Sequence, residues 1–288
     1  MTTWEQPQRQ VRPGWIRPQG RPRGGGMSLG LLPSIAKLIR APAKALAACA
    51  PLAENDPLPF ALLALTGVTG VVDAVSFLGL GHVFTANMTG NVVLLAFAVA
   101  GTRGLSMARS STSLVSFLVG AALGGRLAVA MAAAGRRRWL LTVASSEALL
   151  LVTAAIASIG FDIGSATPPS RLYTVIVLTA LAMGLRNATV QRLAVPDLTT
   201  TVLTRTLTGV AADSSVAGGD NPRIRRRVAS VALMFAGAAV GTLLLRWGLA
   251  LPLVVGAVGV LVVAVAYANV PTARASEPPA GSGRTPPK

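Results

Sequence analysis

The sequence predicts an all-α integral membrane protein. It should have about six full transmembrane helices plus two short broken or re-entrant helices, arranged as an internally duplicated, inverted repeat. Three observations predict this. Of 288 residues, 52% are hydrophobic and 12% charged, and the mean hydropathy is +0.61, a membrane-protein composition. The apolar residues fall in eight runs separated by polar or basic connections. A motif also occurs twice: Thr85-Ala86-Asn87-Met88-Thr89-Gly90 returns as Thr204-Arg205-Thr206-Leu207-Thr208-Gly209. Asp73-Ala74 returns as Asn187-Ala188, and Gly120-Ala121-Ala122-Leu123-Gly124 as Gly237-Ala238-Ala239-Val240-Gly241. The three pairs keep their order at offsets of 114, 119 and 117 residues.

The elements follow in order. Residues 1–56 form a basic leader rich in Arg, Pro, Gln and Gly over its first 26 positions, a composition expected to be disordered. Met27, after three glycines, is a possible start, and no secretory signal peptide is evident. Over 28–47, Leu31, Ile35, Leu38 and Ile39 share one helical face and Lys37, Arg40 and Lys44 another. That pattern suits either an interfacial helix broken near Pro42 or a flexible basic leader.

The first membrane repeat covers 57–161 and the second 172–270. Full spans are expected over 57–80, 113–133, 139–160, 172–193, 228–247 and 249–269. The runs 87–101 and 201–217 are shorter. Fifteen residues rise about 22 Å against a hydrocarbon core of about 30 Å. The tail 271–288 is rich in Pro, Gly and Ser and expected to be disordered.

Charge placement chooses between topologies. If all eight runs crossed, with the basic N-terminus inside, Arg136, Arg137 and Arg138 would fall outside, against the positive-inside tendency. If the two short runs dip in and return, both termini, the Arg136 cluster and the cluster at Arg223 and Arg225 to Arg227 all lie inside. Only Arg103, Arg109, Arg171 and Arg246 lie outside. Three crossings per half then give the halves opposite orientations, and the short segments should approach the midplane from opposite faces; a crossing by the Asn87 segment stays open, because Val92 to Ala100 is fully apolar.

The same distribution excludes other classes. The net charge of +16 sits in the leader and in loops between apolar runs, so nucleic acid is not an expected partner. The one cysteine, Cys49, permits no intramolecular disulfide, and His82 is the one histidine. No Cys- or His-rich metal site is expected, and no cofactor. No GxSxG, HExxH or Walker sequence is present, so the chain is not read as an enzyme.

Two stretches resemble the YoaK family of bacterial membrane proteins (domain of unknown function 1275). One is Gly70-Val71-Val72-Asp73-Ala74-Val75-Ser76-Phe77-Leu78 with residues 85–91. The other is Met183-Gly184-Leu185-Arg186-Asn187-Ala188 with residues 199–209. The resemblance covers roughly residues 58–270. It implies a six-helix inner-membrane protein and carries no established chemistry. Two positions depart from the family pattern: Arg186 stands where a neutral glutamine is expected before the Asn-Ala pair, and Arg205 where the family stays uncharged. If both faced a pathway, its ion preference would differ from that of the relatives.

The candidate pathway or substrate-binding residues are Asp73, Thr85, Asn87, Thr89, Asn91, Arg186, Asn187, Thr204, Thr206 and Thr208. A carboxylate deep in a span is costly unless paired or solvated, and Arg186 is the partner expected for Asp73. Thr85 with Thr89, and Thr204 with Thr208, have the spacing of one helical face. They offer hydroxyls for a polar solute, or caps and backbone bonds. Glu147, between Ser146 and Ala148 in the fourth span, is either a proton-coupling carboxylate or a helix–helix anchor. Gly120, Gly124, Gly237 and Gly241 are read as helix-packing positions.

These features point first to a transporter or channel for a small polar solute or ion, with a site near the midplane between the repeats. The cavity should be lined by Asp73, Thr89, Arg186 and Thr208. A membrane scaffold or partner subunit docking through the leader is the second reading, and an intramembrane enzyme the third. The bilayer is the sure partner, and a homo-oligomer is open. Substrate, coupling ion and direction are not legible.

Overall fold

A computed structural model describes residues 58–193, 203–220 and 224–269. The interfacial helix expected over 28–47, Met27, Cys49 and the tail 271–288 lie outside these residues. Among the described residues the architecture is all-helical, apart from an isolated bridge between Asp162 and Thr167. The helices are α1 (Leu58–Ala74, continued by a π-helical turn Val75–Gly79), α2 (Met88–Val99), α3 (Met107–Ala130), α4 (Arg136–Ala157), α5 (Pro169–Leu193), α6 (Leu203–Ala212), α7 (Ile224–Leu244, continued by a 3-10 turn Leu245–Trp247) and α8 (Ala250–Asn269).

Six of these (α1, α3, α4, α5, α7 and α8) are long and apolar enough to cross a membrane. They coincide with the six expected spans. The largest difference is α3, which starts at Met107 rather than 113. Ser106 caps it by accepting the Arg109 N–H at 3.4 Å. Ser110, Ser113 and Ser116 turn small hydroxyls into the bundle. A helix turn made of serines carries no apolar signal, so the sequence pattern passes over it.

The outer surface differs from that of a water-soluble bundle. Phe60, Leu118, Leu149, Phe235 and Val262 stand on the outer surface, the arrangement that lipid favours. Asp73, Asn91, Glu147, Arg186 and several Ser and Thr are buried with Val72, Leu151, Ile176, Met183 and Leu253. Polar groups inside a bilayer protein face the bundle interior, where partners replace water. The six spans and the outward apolar surface make this a multi-pass membrane protein.

Helix directions follow from which residues meet. Leu58 at the start of α1, Leu140 near the start of α4, Leu193 at the end of α5 and Tyr267 near the end of α8 pack together. These ends therefore share one face. It carries Arg136, Arg137, Arg138, Arg192 and Arg225 to Arg227, and is called the basic face. Arg109, in the first turn of α3, donates to the carbonyl of Gly81, just past α1, at 3.3 Å. The chain between them, including α2, thus leaves and returns on the opposite face. Likewise α7 runs parallel to α1, with Gly237 on Gly67, Gly241 on Val71 and Leu245 on Gly79. α7 therefore starts on the basic face, where α5 ended, and α6 does not carry the chain across.

Two helix pairs cross at backbone contact. A Cβ on Gly120 or Gly184 would meet the backbone of Leu181 or Phe117 across α3 and α5. A Cβ on Gly237 or Gly70 would meet the backbone of Gly67 or Met234 across α7 and α1. A Cβ on Gly124 would lie 3.0 Å from the Leu185 carbonyl, and one on Gly241 2.9 Å from that of Val71. With no side chain at these positions, backbones approach closely and gain dispersion contacts that lipid cannot supply.

Candidate functional site

The polar interior begins on α1. Threonine side chains in a helix can return their hydroxyl proton to the carbonyl one turn back. Thr66 does so to Leu62 at 2.9 Å, and Thr69 to Leu65 at 3.0 Å. The Thr69 oxygen is left able to accept, and Arg186 Nη1 donates to it at 2.9 Å and to the Leu65 carbonyl at 3.1 Å. Arg186 Nη2 is paired with Glu147 Oε1 of α4. Both side chains are 2% exposed. A buried guanidinium thus joins α1, α4 and α5. The pair corrects the expectation that Arg186 would bind Asp73.

Depth explains the choice. Counting along the helices from the basic face, Arg186 lies about 10 Å in, Glu147 about 16 Å and Asp73 about 22 Å. The arginine reaches the nearer carboxylate first.

Asp73 is one helical turn beyond Thr69 on the same face of α1. The backbone N–H of Ala86 and, at longer range, the charge of Arg186 both act on its carboxylate. Its Oδ1 is buried without a hydrogen-bond partner among the described residues. Ser76 donates to the Asp73 carbonyl at 3.1 Å, where the helix widens into its π-helical turn.

The Ala86 contact defines the depth of the re-entrant segment. Residues 80–87 fold back along α1 from Gly79 to Asp73, six residues or about 9 Å. α2 then returns outward. The segment is re-entrant as expected, but it stops well short of the midplane. Two asparagines hold it. Asn87 caps α2 by accepting the Gly90 N–H at 3.2 Å. Asn91 accepts the Phe84 N–H at 2.8 Å and donates to Ser113 at 3.1 Å, while Ser113 donates to the Phe84 carbonyl at 2.6 Å. Thr85 is fully buried with no partner for its hydroxyl among the described residues. It precedes α2, so it does not share a helical face with Thr89, which is exposed.

The second motif lies elsewhere. On α6, Thr204 and Thr208 are exposed, and the Thr208 hydroxyl donates to the Thr204 carbonyl at 2.9 Å. Thr206 is buried. Arg227 fastens the end of α6 by donating to the Gly209 carbonyl at 2.5 Å and to Asp213 at 2.6 Å. Asn187 donates to the Met183 carbonyl of its own helix at 2.8 Å. The ten candidate pathway residues therefore do not form one cluster. Asp73 and Arg186 are brought near each other, Thr85, Asn87 and Asn91 build the re-entrant loop beside Asp73, and the α6 threonines stand apart.

A cavity lies between α1, α4, α5 and α8 in the half of the bundle nearer the basic face. Leu58, Leu62, Leu140, Val260 and Tyr267 are among its walls, and Glu147 and Arg186 lie at its inner end. It has room for a few water molecules. Of the four residues expected to line a cavity, Arg186 does so; Asp73, Thr89 and Thr208 do not. Among the described residues no cluster of metal-ligating side chains is present. The pattern missed Thr69, although its four-residue spacing from Asp73 was readable. It also missed Ser113 and Arg227, whose roles arise only from packing.

The family described as "Protein of unknown function (DUF1275)" matches residues 61–266. The chain belongs to that family. The UPF0700 transmembrane protein YoaK of Bacillus subtilis (strain 168) is 33% identical over 155 residues, which cover 54% of this chain and 65% of that relative, just under two thirds of its length. No solved structure matches.

Proposed function

We propose that this DUF1275 protein moves a small polar solute or ion across the bilayer through the Glu147–Arg186 region. The observation that carries this reading is the buried ion pair at the inner end of a cavity between four helices. Beyond it, Thr69 and Asp73 continue a polar line on one face of α1 toward a re-entrant loop from the opposite face. Ionisable groups kept inside a membrane bundle mark ion and substrate routes by default. Open cavity on one side and closed loop on the other is the form of one state of an alternating-access carrier.

The same reading includes an internal repeat, which the glycine crossings support. The offsets that relate the sequence motifs also carry one close crossing onto the other: Gly120 on Leu181 becomes Gly237 on Gly67, and Gly124 on Leu185 becomes Gly241 on Val71. Equivalent helices run in opposite directions, as an inverted 3+3 repeat requires. The concentration of arginine on the basic face supports a cytoplasmic placement of that face, with both ends of the described chain on it.

Reconstituted protein should accelerate flux of at least one solute from a panel of labelled small ions and polar organics in liposomes. The Glu147→Leu/Arg186→Met double variant should abolish that flux while remaining folded. Undiminished flux in a folded double variant would remove the pair from the pathway. A folded wild type that moves nothing in the panel would count against transport.

A further inference from the structure

We infer that the cavity selects a small organic anion with an apolar body, a monocarboxylate, and takes up a proton on Glu147 as the anion binds. This deepens the transport reading and rests on it for the movement step, though not for binding.

The cavity has two chemically different parts. Its walls are side chains of Leu58, Leu62, Leu140, Val260 and their neighbours. Those apolar surfaces recover free energy from a hydrocarbon body and favour it over a sugar or the second charge of an amino acid; the polar groups among them are the Thr189 and Tyr267 hydroxyls. Thr189, which lines the wall, already spends its proton on the Leu185 carbonyl at 2.9 Å. The inner end is charged. There Arg186 uses Nη1 for Thr69 and Leu65, and Nη2 for Glu147. Its Nε is buried without a hydrogen-bond partner among the described residues.

Nε and Nη2 form one edge of the guanidinium, the edge that binds a carboxylate through two parallel hydrogen bonds. Glu147 engages only one of the two. Its backbone is fixed in α4, and in this position it leaves Nε to another acceptor. A diffusible carboxylate can take both. An incoming monocarboxylate would displace Glu147, use Nε and Nη2 together, and lay its apolar body along the walls.

Displacement leaves Glu147 buried beside a neutralised arginine. A buried carboxylate without a counter-charge holds a proton. The charged and titratable groups around it are few among the described residues: Arg186 on α5, Asp73 on α1 beyond Thr69, and Tyr267 on α8 at the cavity wall. None supplies a second cation. One anion and one proton therefore enter together, and the loaded site carries the same net charge as the empty one.

The test is binding to the full-length protein in nanodiscs, with labelled hexanoate as the probe and butyrate, benzoate, hexylamine and hexanol as competitors. Hexanoate should bind saturably, with each added methylene strengthening binding by up to about fourfold. Benzoate should compete, and hexylamine and hexanol should not. Calorimetry at pH 7 in two buffers of different ionisation heat should show uptake of about one proton per hexanoate. Glu147→Gln should bind hexanoate without proton uptake. Arg186→Lys should weaken binding at least tenfold. Ala144→Phe, which fills the cavity and leaves the pair in place, should abolish it. Preference for hexylamine, equal binding of hexanol, no proton uptake in the wild type, or unchanged binding in folded Ala144→Phe would each overturn the inference. If hexanoate binds with these signatures but is not moved in liposomes, binding stands and transport fails. If another solute is moved and carboxylates neither bind nor compete, transport stands and this inference falls.

Discussion

Arg186 of α5 and Glu147 of α4 form a buried ion pair that ties together the two halves of the chain. Removing one member of such a pair leaves an uncompensated charge, which costs about 3–5 kcal/mol, whereas replacing both with apolar residues of similar size is often neutral or stabilising. Arg186→Met should therefore lower thermal stability sharply in detergent, and Glu147→Leu/Arg186→Met should restore most of it. A double variant as unstable as the single would mean that the pair is needed for folding itself.

The glycine crossings give a second expectation. Gly120→Val and Gly237→Val place side-chain atoms against the backbone of the facing helix. Overpacking of this kind costs about 1–3 kcal/mol or more. Gly125→Ala meets only the far end of the Arg192 side chain, at 3.9 Å, and should melt like the wild type. Equal melting of all three variants would contradict the close crossings.

Asn91→Ala should loosen the re-entrant segment locally. It removes the acceptor of the Phe84 N–H and the Asn91 amide that donates to the Phe84 carbonyl, at a cost of about 1–3 kcal/mol. Hydrogen exchange should rise over residues 82–90 and stay unchanged in α4 and α8. Uniform acceleration throughout the bundle would assign Asn91 a global role instead.

The connection between α4 and α5 offers a pH test outside the membrane. The Ser165 hydroxyl, then the backbone N–H groups of Gly164 and Ser165, hold the exposed Asp162 carboxyl below the usual carboxylate range. Its folded value is depressed, so its contribution to loop stability is present above the ordinary carboxylate value and is lost as pH falls through the lowered one. Ser165→Ala should move the Asp162 titration upward in carboxyl NMR. No movement would remove the Ser165 hydroxyl as the main cause.

Much of this was legible from residue order. The six spans follow from long apolar runs, and the two non-crossing segments from short runs combined with arginine placement. The start of α3 was not legible, because Ser106 to Ser113 carries no apolar pattern and becomes helix through capping and packing. Nor was the partner of Arg186. Two carboxylates were available, and the choice depends on helix registers that only tertiary packing sets. Thr85 and Thr89 failed as a helical pair because Asn87 caps the helix between them and leaves Thr85 in the loop. The α6 motif repeats the letters of the first without its depth.

The most direct test asks whether water reaches the Arg186–Glu147 pair from one face. In a Cys49→Ser background, Ala144→Cys places a thiol on the cavity wall. A small membrane-impermeant methanethiosulfonate should modify it in inside-out vesicles and leave it unmodified in right-side-out vesicles. Modification from the outside only, or from neither side in a folded protein, would contradict a pathway that opens on the basic face and ends at the buried pair.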